Sequence, residues 1–223
     1  LSVRSLKNSI LLLNNYTDKG METIKAEEDK VDKYEDTLGT YLVKLSSQEL
    51  TEADSHEVTK IMHIIGDFER ISDHAVNIVE SAEEIKDKKL EFSEEAQREL
   101  SVLRAAVLDI LNLTEQAFIE NDAEKARAVE PLEQVIDDLI LKVKRNHISR
   151  LRGGNCTIEL GFVLSDLLTN YERVSDHCSN IAVAVIESAH GTFEIHEYLE
   201  SVKENGNKDF DSQYKEFGKR FSI

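Results

Sequence analysis

The chain has 223 residues, 40% of them hydrophobic, and 27 basic against 44 acidic side chains give it a formal charge of -17. That length holds one large domain or two small ones, with enough apolar residues for a real core. So acidic a surface repels nucleic-acid phosphates and anionic lipid headgroups, which excludes a nucleic-acid partner and suits cations or a basic protein.

Pro131 is the one proline, tryptophan is absent and there are nine glycines. Few breakers and much Leu, Ile, Glu, Lys and Ala predict an all-α chain. Cys156 and Cys178 make no Cys-x-x-Cys motif, which fits a reducing compartment rather than a disulfide framework. A bilayer span needs about 18 consecutive apolar residues, whereas Ile10 to Leu13 is a run of four and the longest, Ile181 to Ile186, has six.

In chain order, the apolar spacing predicts helices over residues 2 to 20, 23 to 46 and then a third through residues 61 to 79, with Thr51 to Asp54 as the turn before it. There Ile61, Ile64, Ile65, Phe68, Ile71, Ala75, Ile78 and Val79 form the buried stripe. The series repeats as 93 to 120, 122 to 151 and a last helix carrying Leu164, Leu167, Leu168, Tyr171, Val174, Cys178, Ile181 and Ala182. Asn121-Asp122 reads as a cap and Arg152 to Asn155 as a turn. Short helices are expected at 195 to 204 and 209 to 221.

The repeat is explicit in the residues. Residues 67 to 78 read DFERISDHAVNI and residues 170 to 181 read NYERVSDHCSNI, an offset of 103. Three helices per copy can bury their stripes against one another. The expected architecture is therefore two tandem three-helix bundles, residues 1–91 and 92–190, followed by a short helical tail, 191–223.

The chemistry lies on the polar faces. At 100° per residue, Glu69 and Asp73 stack one turn apart on a solvent-side stripe beside the Phe68 core position, and Glu172 and Asp176 do so beside Tyr171. On the preceding helices Glu28, Asp32 and Glu35 share one face, matched in the second half by Glu130, Gln134 and Asp137; Glu133 and Asp138 fall off that stripe. Like charges at i, i+4 destabilise a helix by a few tenths of a kcal/mol per pair. A repeated acidic stack therefore wants a cation, either Arg70 and Arg173 three residues away or a divalent metal held between helices. His74 and His177 point off the stripe and read as surface or inter-bundle contacts. Cys178 reads as a small buried hydrophobe. The single Glu-x-x-His pair, Glu187 and His190, does not make the paired motif of di-iron bundles, and no nucleotide or nucleophile motif is present.

FERISDHAVNI and YERVSDHCSNI resemble the signature of the PhoU family over roughly residues 1 to 190. The resemblance implies tandem three-helix bundles, a surface cluster of iron, zinc or a similar metal on each, and regulation of phosphate uptake rather than catalysis. Carried onto this chain, one metal set is Glu28, Asp32, Glu69 and Asp73, with Glu35 a further candidate. The other is Glu130, Asp137, Glu172 and Asp176. Ser72 and Ser175 stand where the family commonly has Gly, and Gln134 stands where an acid would complete the second stripe. The tail resembles the end of bacterial sodium/phosphate cotransporter family proteins. With the Leu1 start, that implies a C-terminal domain at the cytoplasmic face of the cell membrane. Its partner would be a membrane-spanning phosphate transporter domain of the same polypeptide, and a homodimer is compatible. The alternative is a free-standing regulator acting on an ATP-driven importer and its sensor kinase.

Overall fold

The computed structural model describes residues 1–190 and 208–223, and it is helical with no strand among them. The elements are α1 (Ser2–Leu12), α2 (Asp18–Ser46), α3 (Glu52–Asp87), α4 (Glu94–Glu120), α5 (Ala123–Arg127), α6 (Val129–Arg152), α7 (Ile158–His190) and α8 (Lys208–Arg220). The first tail helix expected, 195 to 204, lies outside the described residues; the second is α8.

Side-chain caps set several boundaries. The Gly20 N–H donates to Thr17 Oγ1, so α2 begins at Asp18 and the first helix stops well short of residue 20. Thr51 caps α3 in the same way through the Asp54 N–H, so of the residues expected as a turn only Thr51 lies outside the helix and Glu52 to Asp54 are its first turn. Asp122 accepts from the Glu124 and Lys125 amides, and Asn121 adopts the left-handed conformation with φ 50° that closes α4. The stretch expected as one helix from 122 is split into α5 and α6. Pro131 has no N–H for the carbonyl of Arg127, where α5 ends, and its ring crowds that carbonyl.

α1, α2 and α3 pack together as one bundle, and α4, α6 and α7 as a second, with α5 laid on α4 and α7. Leu6, Ile24, Ile71 and Ile78 are fully buried in the first; Leu103, Ile110, Leu132 and Ile136 are fully buried in the second. The apolar interiors run together as one core. α8 lies along α6, where Tyr214 donates to Asp138, and Arg220 pairs with Asp109 at 2.8 Å.

The bundles meet chiefly along α3 and α7, which run antiparallel. His177 Nδ1 donates to Asp67 Oδ1 at 2.9 Å. The Asn170 amide is oriented by donating to the Asp166 carbonyl, so its oxygen faces His74 Nδ1 at 2.8 Å and that nitrogen carries the proton. Asp67 and His74 correspond to Asn170 and His177 in the repeat, so the two contacts are one contact seen twice across a pseudo-two-fold axis. The imidazoles stand on either side of it, ring centroids 5.7 Å apart. The histidines are inter-bundle contacts. Burial pushes His74 below the ordinary histidine value, and the neighbouring His177 adds to this.

Asp67 Oδ1 also accepts from Asn180 Nδ2 at 3.1 Å. Replacing Asp67 with Ala leaves partly buried donors unpaired and should cost about 1–3 kcal/mol, read as a lower midpoint in urea unfolding followed by circular dichroism. An unchanged midpoint would show that the seam contributes nothing to the fold.

Candidate functional site: a carboxylate cluster between two helices

α2 and α3 lie side by side, and each turns an acidic face to the groove between them. Glu28 and Asp32 sit one turn apart on α2, and Asp73 reaches them from α3. One carboxylate oxygen from each can be chosen so that all three lie within 4.8 Å of one another. Glu28 and Asp73 are half-buried and Asp32 is exposed, so the cluster is open to an ion. Among the described residues it is the one group of three acidic, histidine or cysteine side chains so close together.

Glu69 joins from the turn before Asp73. Burial raises its carboxyl from 4.5 to about 7; the charge of Asp73 and a hydrogen bond with it add to this, while Arg70 works the other way. Glu28 is also pushed up, by burial first and then by Asp32 and Asp73. Arg70 pairs with Glu69 at 3.4 Å and with Asp73 at 3.1 Å, from a side chain 62% exposed. No Lys or Arg among the described residues forms an ion pair with Glu28 or Asp32 within 4 Å. Of the four acids only Glu69 and Asp73 meet a cation, one solvated guanidinium, and Glu28 and Glu69 hold protons more tightly than an ordinary glutamate. A cation placed between them would reverse that preference. Glu35 lies a further turn along α2 and lines a neighbouring cleft with Glu69, outside the tight group.

The second half is arranged differently. Glu130 is buried and accepts from Ser179, Glu172 pairs with Lys144 at 3.2 Å, and Asp176 pairs with Arg173 at 3.3 Å. Asp137 is half-buried on α6. These four are not drawn into one close group, and two of them already carry a basic partner. The sequence reading set Glu133 off the stripe. In the structure it is only 8% exposed and lines a hollow with Glu130 and Asp176. Glu130 to Glu133 is an i, i+3 step on the same face, and the i+4 register chosen from sequence landed on Gln134 instead. Asp176 is raised, chiefly by burial, with Arg173 opposing.

Cys178 is fully buried and its thiol is pushed up to about 12 by burial, so it is an inert packing residue. Glu187 is buried, and the side chain of its expected companion His190 lies outside the described residues.

The PhoU domain family matches residues 1–82 and 100–185 of the chain. The phosphate-specific transport system accessory protein PhoU homolog 1 of Thermotoga maritima is 31% identical over 155 residues, which are 70% of this chain and 65% of that protein. The putative inorganic phosphate export protein YjbB of Escherichia coli K12 is 28% identical over 153 residues, 66% of this chain and 27% of that protein. The matched regions thus span less than two thirds of either relative. Among solved structures, PhoU from Pseudomonas aeruginosa superposes with a TM-score of 0.78 at 19% identity, covering 86% of this chain and 91% of that one. The phosphate transport system regulatory protein PhoU from Streptococcus pneumoniae gives 0.73 at 19%, covering 86% and 89%. At that identity the likeness establishes the helical-bundle fold alone.

The raised carboxyls fix a sign for pH dependence. A glutamate that titrates near 4.5 unfolded and about 7 folded keeps a proton in the native state that the unfolded chain has released. Without metal, stability should therefore fall as pH rises from about 4.5 to about 7. Glu69→Gln should flatten that fall in thermal melts taken across the range. An identical slope in the variant would remove Glu69 from the cluster.

Proposed function

The chain belongs to the PhoU family, and from that premise we propose that it is a metal-binding regulatory domain of phosphate transport. The observation that carries the metal reading is the meeting of Glu28, Asp32 and Asp73 across two helices. An all-oxygen donor set suits a hard or borderline cation, and iron or zinc is the expected class. Glu28, Asp32 and Asp73 would hold it, with Glu69 adjacent and able to give up its proton as the ion enters. When bound, the metal would neutralise the crowded carboxylates and tie α2 to α3. The residues of the second half, already paired with Lys144, Arg173 and Ser179, form the weaker candidate.

The role is regulatory. A cation that bridges α2 and α3 sets how firmly their hairpin is held, and that is a state a partner can read. We infer that the partner is a membrane-spanning phosphate transporter domain, sodium-dependent and in the same polypeptide, at the cytoplasmic face of the membrane. The match to about a quarter of a putative phosphate export protein supports this reading. The resemblance to a phosphate-specific transport accessory protein supports the other arrangement, a separate regulator of an ATP-driven importer.

The test is uptake of radiolabelled phosphate by cells carrying the native gene, the gene lacking these residues, or the Glu28→Gln/Asp73→Asn variant. Deletion should change the uptake rate or its response to external phosphate several-fold, and the variant should move in the same direction. Uptake and regulation unchanged by deletion would contradict the assignment.

A further inference from the structure

Where the two bundles meet beside the α3–α4 linker, a cavity of about 250 Å³ opens between them. The turn after α1, the end of α3 and the linker wall it on one side, and α4 and α7 wall it on the other. Leu13, Leu90, Phe92, Leu100 and Leu167 make most of that wall apolar, while Arg104 and Tyr171 bring polar groups into it. α1 reaches the cavity with its C-terminal turn, and Leu1 lies at the opposite end of that helix.

Two groups in this lining lack the partners that their burial calls for. Tyr171 is 0% exposed, and its hydroxyl has no hydrogen-bond partner among the described residues. The matching position of the repeat is Phe68, whose ring packs edge-on against Phe118 with no polar atom to satisfy. The first bundle therefore shows that the fold does not need the oxygen, and a buried hydroxyl without a partner costs stability. Burial pushes the Tyr171 hydroxyl up from its ordinary pKa, with the charge of Arg104 opposing.

Arg104 is half-buried on α4. Its Nε donates to the Leu100 carbonyl at 3.2 Å and its Nη1 to Asn14 Oδ1 at 2.9 Å, both of them neutral acceptors. The other half-buried arginines, Arg127 and Arg150, pair with Glu124 and Glu99. Arg104 forms no ion pair among the described residues, on a chain with 44 acidic side chains. Its Nη2 is left as a charged donor beside an unpaired hydroxyl.

We propose that this cavity binds a small organic anion, a carboxylate or phosphate ester with a short apolar chain, as an effector held between the two bundles. The oxyanion accepts from Arg104 Nη2 and from the Tyr171 hydroxyl, and the chain lies against Leu13, Leu90, Phe92 and Leu167. The planar guanidinium suits either headgroup. Apolar walls with a few placed polar groups are the usual make-up of a small-molecule site. Glu91, the one acid in the lining, is exposed, so water weakens its repulsion of the ligand. Because the walls come from both bundles, occupancy stiffens their junction. The site needs no metal and lies apart from the Glu28, Asp32 and Asp73 cluster.

The probes are hexanoate and butyl phosphate, titrated into the full chain with chelator present and followed by calorimetry and thermal melts. Hexanamide carries the chain without the charge, and inorganic phosphate carries the charge without the chain. At least one probe should bind one to one at millimolar concentration or below and raise the melting temperature. Hexanoate alone marks a carboxylate ligand, butyl phosphate alone a phosphate ester. Hexanamide and inorganic phosphate should each bind about tenfold or more weakly. Tyr171→Phe should weaken the probe about tenfold and leave the ligand-free melting temperature equal or higher, since it removes an unpartnered hydroxyl. Arg104→Gln should abolish probe binding with unchanged helicity. No binding of either probe, or equal binding of hexanamide or inorganic phosphate, would overturn the proposal. So would a Tyr171→Phe variant that melts lower without ligand, because the hydroxyl would then serve the fold itself.

Discussion

The antiparallel pairing of α3 and α7 is the constraint on which the rest of the molecule depends. Each helix must bury one face in its own bundle and a second face against its twin, so only the remaining face is left for polar residues. On α3 that face carries Glu69 and Asp73, and on α7 it carries Glu172 and Asp176. The positions between are small: Ser72 and Ser175 are fully buried, and Ser175 satisfies its hydroxyl on the Tyr171 and Glu172 carbonyls of its own helix. The Asp67–His177 and Asn170–His74 contacts then set the register. The repeated block of twelve residues is thus three roles interleaved at helical spacing: core, seam and acidic face.

The acidic face is a local cost that the fold carries. Carboxylates one turn apart on two adjacent helices repel, and burial of Glu69 makes ionisation harder still. Natural sequences break local consistency at functional sites and compensate elsewhere. Arg70 and Arg173 are equally solvated and each meets the aspartate of its own helix, but in the second bundle Lys144 adds a second cation, at Glu172, that the first bundle lacks. The two halves share a fold and a motif but not the same electrostatic state, which makes the first bundle the place to look for an ion.

Much of this was open to reading from the residues because helical periodicity and the internal repeat are both one-dimensional signals. The three helices per half and the two acidic stripes, Glu28 with Asp32 and Glu69 with Asp73, follow from spacing; joining the four residues into one set rests on the family resemblance. What spacing does not carry is contact between helices. Asp67 has no special place in the pattern, since its repeat counterpart is Asn170, and only the antiparallel α3–α7 pair gives it His177. Glu133 was misplaced because i+3 and i+4 steps share a face, and the choice between them is made by what packs opposite.

The most direct test of the account is elemental analysis of the protein purified without chelator or metal-affinity resin, beside the Glu28→Gln/Asp73→Asn variant. The account predicts iron, zinc or another divalent metal near one ion per chain in the wild type, lost in the variant, with a higher melting temperature for the loaded form. Wild-type protein that binds no metal even after reconstitution with excess ions, and a variant of equal or greater stability, would contradict it. The stripe would then be a solvated acidic face on a PhoU fold.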